Sequence, residues 1–280
     1  MRTRTSALLA LAAACAVGPR LPREPTGTRV LEVTGRIRGG RHVVGAGDLA
    51  SWPRRSLRGA DPLTGRTAAY EGADLSELLG GVERQRGVDT VIVRTSGRVA
   101  AAVPLWIVWQ FRPVLADRAD GAPLPGLVLA WPNAEQPGLG GDPRALAWWA
   151  TGVVALELVE WPVHARALAP PAGASDAARL GAGPFQARCL ACHVLRGVGG
   201  GAGPDLTFVE ERLAPDAFAT AVRDHRAWPA SRPEVAPPAE ETERIRAYLA
   251  AVGAAARSGG SEDPAEEAPG GGGSTREPRP

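Results

Sequence analysis

The sequence predicts two domains: a mainly-β, α+β body, then a small all-α domain. Three observations lead there. A chain of 280 residues suggests about two domains. Its first half shows short apolar runs broken by turn residues, the mark of strands. Its second half shows apolar residues at helical spacing on either side of a single CxxCH motif.

The N-terminus comes first in the order of the chain. Arg2 and Arg4 precede an apolar run, Ser6 to Ala14. The run is too short for a bilayer, which needs about 20 residues, so residues 1–15 read as an export signal. Leu11 to Cys15 (LAAAC) resembles a bacterial lipobox, with Ala12 where Leu is usual, and makes Cys15 the expected lipidated residue. A periplasmic, membrane-anchored lipoprotein is the localisation this implies.

The body is expected over residues 28–163. Val30 to Ile37 partly alternates as a half-buried strand does. Asp74 to Leu79 reads as a short helix capped by Asp74 and stopped by Gly80-Gly81. Val91 to Val93 and Val99 to Val103 flank Ser96-Gly97 as a hairpin, and Gly152 to Trp161 reads as a closing strand. Residues 164–175, rich in Pro and Ala, read as a linker. The small domain follows over 176–253. Residues 254–280 hold almost no apolar side chains and are expected to be disordered.

Composition narrows the function. Net charge is +2 with no basic block, so nucleic acid is not an expected partner. Every one of the 32 basic residues is Arg, which dilutes the meaning of any single Arg. The three cysteines, Cys15, Cys189 and Cys192, form no disulfide framework.

Cys189-Leu-Ala-Cys192-His193 carries the chemistry. Two thiols about one helical turn apart can each form a thioether with one porphyrin, and the adjoining imidazole meets the iron. Zinc would want four N/S ligands, and no second Cys pair exists. A thioredoxin-like site would want a βαβ context, whereas the flanks look helical. The expected cofactor is one covalent haem c, with His193 as proximal ligand.

The surroundings then resemble a class I cytochrome c domain. Gly181, Phe185 and Cys189 match that family's Gly-x3-aromatic-x3-Cys run, and Gly203-Pro204-Asp205-Leu206 is similar to its GPxL. The resemblance implies that the Pro204 carbonyl orients His193. Ile245, Tyr248, Leu249 and Val252 lie on one face of a last helix ended by Gly253, and the family's helix crossing implies that Tyr248 and Gly181 are neighbours. Pro184 departs from the pattern and is expected to shorten or kink the first helix.

The family's distal methionine is missing. The only Met is Met1, and Ser231 to Pro237 stands where the Met-bearing loop is expected. Three possibilities follow: His225 as a second imidazole, an open or water-bound iron, or His42 or His164 reaching in from outside the small domain. Without a thioether sulfur the potential is expected to lie below that of ordinary members.

The body resembles the molybdopterin-binding domain of the sulfite oxidase family through Leu31 to Leu57, Tyr70 to Leu79, Leu115 to Leu124 and the closing strand after Trp148-Trp149. That family binds molybdenum through a Cys before the second of these stretches. Here the region is Arg58-Gly59-Ala60-Asp61-Pro62, and the family's DGY turn is Ser96-Gly97-Arg98. Molybdopterin is therefore not expected, although Arg58 and Arg66 are available to an anion. The chain reads as an electron-transfer protein rather than a catalyst, its body a docking or scaffold module for a periplasmic redox partner. The alternatives are a haem-containing molybdopterin oxidoreductase subunit and a haem-based sensor of small ligands.

Overall fold

The computed structural model describes residues 25–140, 142, 144–225 and 236–259. Cys15 with the signal stretch, most of the Ser231 to Pro237 loop, and the tail from residue 260 lie outside the described residues.

The body is mixed α/β and rich in sheet. One five-stranded sheet holds β1 (Arg29–Gly35), β2 (Arg41–Gly45), β5 (Thr90–Thr95), β6 (Ala100–Pro104) and β10 (Val153–Val159), in the order β2-β1-β10-β5-β6. The other holds β3 (Arg54–Ala60), β4 (Thr67–Asp74), β7 (Val114–Ala119), β8 (Ala122–Ala130) and β9 (Ala150–Thr151), in that order. Short helices α1 (Ala46–Ser51), α2 (Leu75–Gly80), α3 (Leu105–Phe111), α4 (Pro137–Gly140), α5 (Ala145–Trp148) and α6 (Trp161–His164) fill the connections. Side chains of both sheets join in one apolar core that includes Val33, Leu79, Leu115, Leu129 and Leu156.

Local chemistry explains the elements. Asp74 caps α2 as its sequence position predicts, accepting from the Ser76 and Glu77 amides while its other oxygen takes the Arg112 guanidinium. Strands β5 and β6 pair as the predicted hairpin, with Arg98 at a positive φ of 65° in the turn. The closing strand β10 does more than end the sheet. It runs parallel to β1 and antiparallel to β5, with Val33 opposite Leu156.

The remaining residues are mostly helical: α7 (Asp176–Arg188), α8 (Pro215–Arg223) and α9 (Ala239–Gly259). They are not purely so, because a two-residue hairpin, β11 (Val194–Leu195) with β12 (Val198–Gly199), follows the CxxCH motif. Helices α7 and α9 cross where Gly181 lies against the Arg244 carbonyl. Phe185, Ile245, Tyr248, Leu249 and Val252, each 1% exposed or less, form the core there. Each such large apolar side chain contributes roughly 1.5–3 kcal/mol on burial.

Four expectations need correction. Pro184, expected to shorten or kink the first helix, does not shorten α7: it sits inside the helix, which runs on to Arg188. A proline forfeits one backbone bond, here the one to Leu180, whose side chain is solvent-exposed, so water can serve that carbonyl. Gly253 does not stop α9, and residues 254–259, read as disordered tail, are helical. Gly253 is instead a packing glycine, since a Cβ there would lie 2.7 Å from the Thr207 carbonyl oxygen. Finally, residues 164–175 are not a free linker. Leu168 is 1% exposed in the helical core, and its carbonyl accepts a 2.6 Å hydrogen bond from the Tyr248 hydroxyl.

Candidate haem-binding site

Helix α7 delivers the CxxCH residues. Ser175 caps its start by accepting from the Ala178 amide at 3.2 Å, and its C-cap is Cys189. One further turn follows. The Cys189 carbonyl accepts from the Cys192 amide at 3.1 Å and the His193 amide at 2.9 Å. That turn places both cysteines and the histidine side by side, and both thiols are free. Burial pushes the Cys189 thiol up to about 12, against a small opposing pull from Arg188, and raises that of Cys192. Left as thiols, the two would be protonated at neutral pH.

A glycine-rich wrap holds His193 in place. Its Nδ1 lies 2.9 Å from the Pro204 carbonyl oxygen. A carbonyl only accepts, so Nδ1 carries the proton and the Nε2 lone pair is left for a metal. Ligating histidines commonly anchor their other nitrogen in this way. Gly203 makes room for the ring, because a Cβ there would stand 2.4 Å from His193 Cε1. Gly199, at φ 115°, would place a Cβ 2.2 Å from the His193 carbonyl oxygen.

His225 lies just beyond α8, and its Nε2 is 3.4 Å from His193 Nε2, with ring centroids 5.6 Å apart. The other two histidines are elsewhere. His42, on β2, contacts the Arg38 carbonyl at the sheet edge opposite β6. His164 stacks on Trp161 at 5.8 Å. Among the described residues no group of three or more His, Cys, Asp or Glu converges as a metal cluster.

The motif also docks on the body, which sequence reasoning missed. The Ala100 amide donates to the Ala191 carbonyl at 2.8 Å, and the Gly201 amide donates to the Arg98 carbonyl at 2.8 Å. Strand β6 is an edge strand, and this contact engages its Ala100 amide. A Cβ at Gly200 would sit 1.9 Å from the Ala191 oxygen, and one at Gly201 would sit 2.6 Å from the Arg98 guanidinium. The run Gly199-Gly200-Gly201 was the available signal, since only glycine permits so close a backbone approach. Beside it a cleft of about 260 Å³ opens between the body and α7, lined by Arg144, Trp148, Gln186, Leu190 and Ala191 among others. Trp161 packs against apolar clusters on both sides of this seam.

The donor set fits a haem c: two thiols on one turn, an imidazole with its free lone pair set by a carbonyl, and a facing imidazole. A groove of about 960 Å³ in the body, lined by Asp61, Arg66, Tyr70, Asp117 and Trp149 among others, has a different character. Arg66 is paired with Asp120, and Asp117 with Arg54. No cysteine lies between residues 16 and 188. This lining does not fit a phosphorylated cofactor whose metal takes a protein thiolate.

No family model and no curated protein matches the chain. Among solved structures it is similar to the sulfane dehydrogenase SoxCD from Paracoccus pantotrophus, at 15% identity and a TM-score of 0.38, over 48% of this chain and 38% of that one. The chain thus spans under two fifths of the length of that protein.

Proposed function

We propose that the chain is an exported c-type cytochrome that carries single electrons through one haem joined to Cys189 and Cys192, with His193 as proximal ligand. The 2.9 Å approach of His193 Nδ1 to the Pro204 oxygen, on the turn that also carries both thiols, is the observation that supports it most. A bound haem would supply reversible one-electron chemistry, tuned by its axial ligands and by burial. The chain's own part is to hold and shield. Pro204 sets the tautomer, Gly203 leaves space for the ring, and β6 covers one side of the motif.

In this reading the helical residues form a cytochrome c domain, and the body, sulfite oxidase-like in its sequence stretches, works without molybdenum as a scaffold against which the haem motif is seated. Export, lipidation at Cys15 and a periplasmic redox partner complete the proposal. The experiment is intact mass and metal analysis of the full chain produced with export and haem-attachment machinery. The expected result is the added mass of one haem, one iron per chain and no molybdenum. An unmodified polypeptide would overturn the cytochrome reading, and stoichiometric molybdenum would overturn the scaffold role of the body.

A further inference from the structure

We propose that His225 is the second axial ligand of the iron, so that the centre is bis-histidine and closed to small external ligands; this rests on the cytochrome reading above. The geometry carries it. His193 Nε2 is the nitrogen left unprotonated by the Pro204 contact, and it faces His225 Nε2 at 3.4 Å. An imidazole nitrogen stands about 2.0 Å from a transition metal it ligates, so two of them across one ion stand about 4 Å apart. The observed separation is short of that by only about 0.6 Å. Nitrogen faces nitrogen, and no side chain has to turn around to present a lone pair.

The placement of His225 makes such an opening cheap. Helix α8 ends at Arg223, and the His225 amide makes a long 3.4 Å bond to the Val222 carbonyl. A residue just past a helix end can shift by a few tenths of an ångström without breaking the helix. Phe218 and Val222 hold the helix itself against the core. His193, by contrast, is fixed from three sides by Pro204, Gly203 and the turn of the motif. The rigid partner is thus the proximal one, and the adjustable partner the distal one.

Composition removes the usual competitor, because the only methionine is Met1. The remaining histidines are engaged elsewhere, His42 at the far edge of the sheet and His164 on the Trp161 ring. Two imidazoles also give a lower potential than an imidazole with a thioether. The centre therefore suits the low-potential side of an electron chain rather than ligand sensing.

The test is optical and electron paramagnetic resonance spectroscopy of the full-length holoprotein and of His225→Ala and His225→Met, with the haem content of each sample taken by mass. The wild type is expected to be low-spin in both oxidation states and inert to carbon monoxide. His225→Ala is expected to turn high-spin when oxidised, to bind carbon monoxide at least tenfold more tightly when reduced, and to return to low spin on adding imidazole. His225→Met is expected to stay low-spin and to gain a long-wavelength sulfur-to-iron charge-transfer band. A high-spin wild type, or a His225→Ala protein with an unchanged spectrum and haem content, would overturn the assignment. Exported protein with no haem mass would instead bring down the cytochrome reading, and this inference with it.

Discussion

Substituting Gly181 by Ala tests whether the α7–α9 crossing is what positions the CxxCH motif. In an open helix the change would stabilise by about 1 kcal/mol, through lower backbone entropy in the unfolded chain. Here the new Cβ would lie 1.9 Å from the Arg244 carbonyl oxygen and 2.4 Å from its carbon. Ordinary contact begins near 3.4 Å, so backbone must retreat from backbone by about 1.5 Å. Overpacking of this kind costs roughly 1–3 kcal/mol, and two backbones that cannot rotate aside place it at the upper end. The net expectation is a loss of about 2 kcal/mol. With a slope near 2 kcal/mol per molar, the urea midpoint of the helical residues falls by about 1 M. Gly183 serves as a control on the same helix, since nothing lies within 4 Å of its added Cβ. Pro184 follows it and trims any helix gain, so Gly183→Ala should stay within about 0.5 kcal/mol of the parent. The assay is urea unfolding of the full chain, followed by circular dichroism and by the environment of Tyr248. If Gly181→Ala unfolds at or above the parent midpoint, the close crossing is not what holds α7, and the argument from packing to motif position is wrong.

Two further outcomes follow from the same geometry. Gly203→Ala would put a Cβ 2.4 Å from His193 Cε1 and 2.6 Å from Nδ1, swinging the ring off Pro204. Haem content or low-spin fraction should fall, at a folding cost of roughly 1–3 kcal/mol, and a wild-type spectrum at full haem content would refute the supporting role of this loop. In the chain made without haem attachment, the raised Cys189 pKa gives a pH dependence of stability. The folded state favours the neutral thiol, so that contribution is intact below the unfolded value near 9 and is lost as pH rises toward about 12. Between pH 8 and 10.5 the loss should be about 2 kcal/mol. Cys189→Ala should lack it, and equal slopes for the two proteins in urea titrations would argue that this thiol is not buried.

The seam between body and helices has a physical consequence of its own. Ala191 lies between the two cysteines, and its carbonyl is held by an edge-strand amide. The CxxCH turn is therefore braced by the body rather than carried only by its own helix. Arg98, in a positive-φ turn, closes the other side against Gly201. The hairpin turn thus has a structural use at this seam.

Features within a turn or two of chain were legible in the residues. A CxxCH on a helical turn follows from spacing alone. The Asp74 cap and the face of Ile245, Tyr248, Leu249 and Val252 follow from side-chain chemistry and helical period. That Met1 is the single methionine is read from composition. Long-range packing set the rest. It carried α9 past Gly253, buried Leu168 from the presumed linker, docked the glycine run on β6, and turned His225 toward His193. Spacing rules describe contacts within a turn or two of chain. These four depend on which backbone surfaces meet across tens of residues, where a missing Cβ or a facing carbonyl sets the outcome and leaves no periodic trace in the sequence.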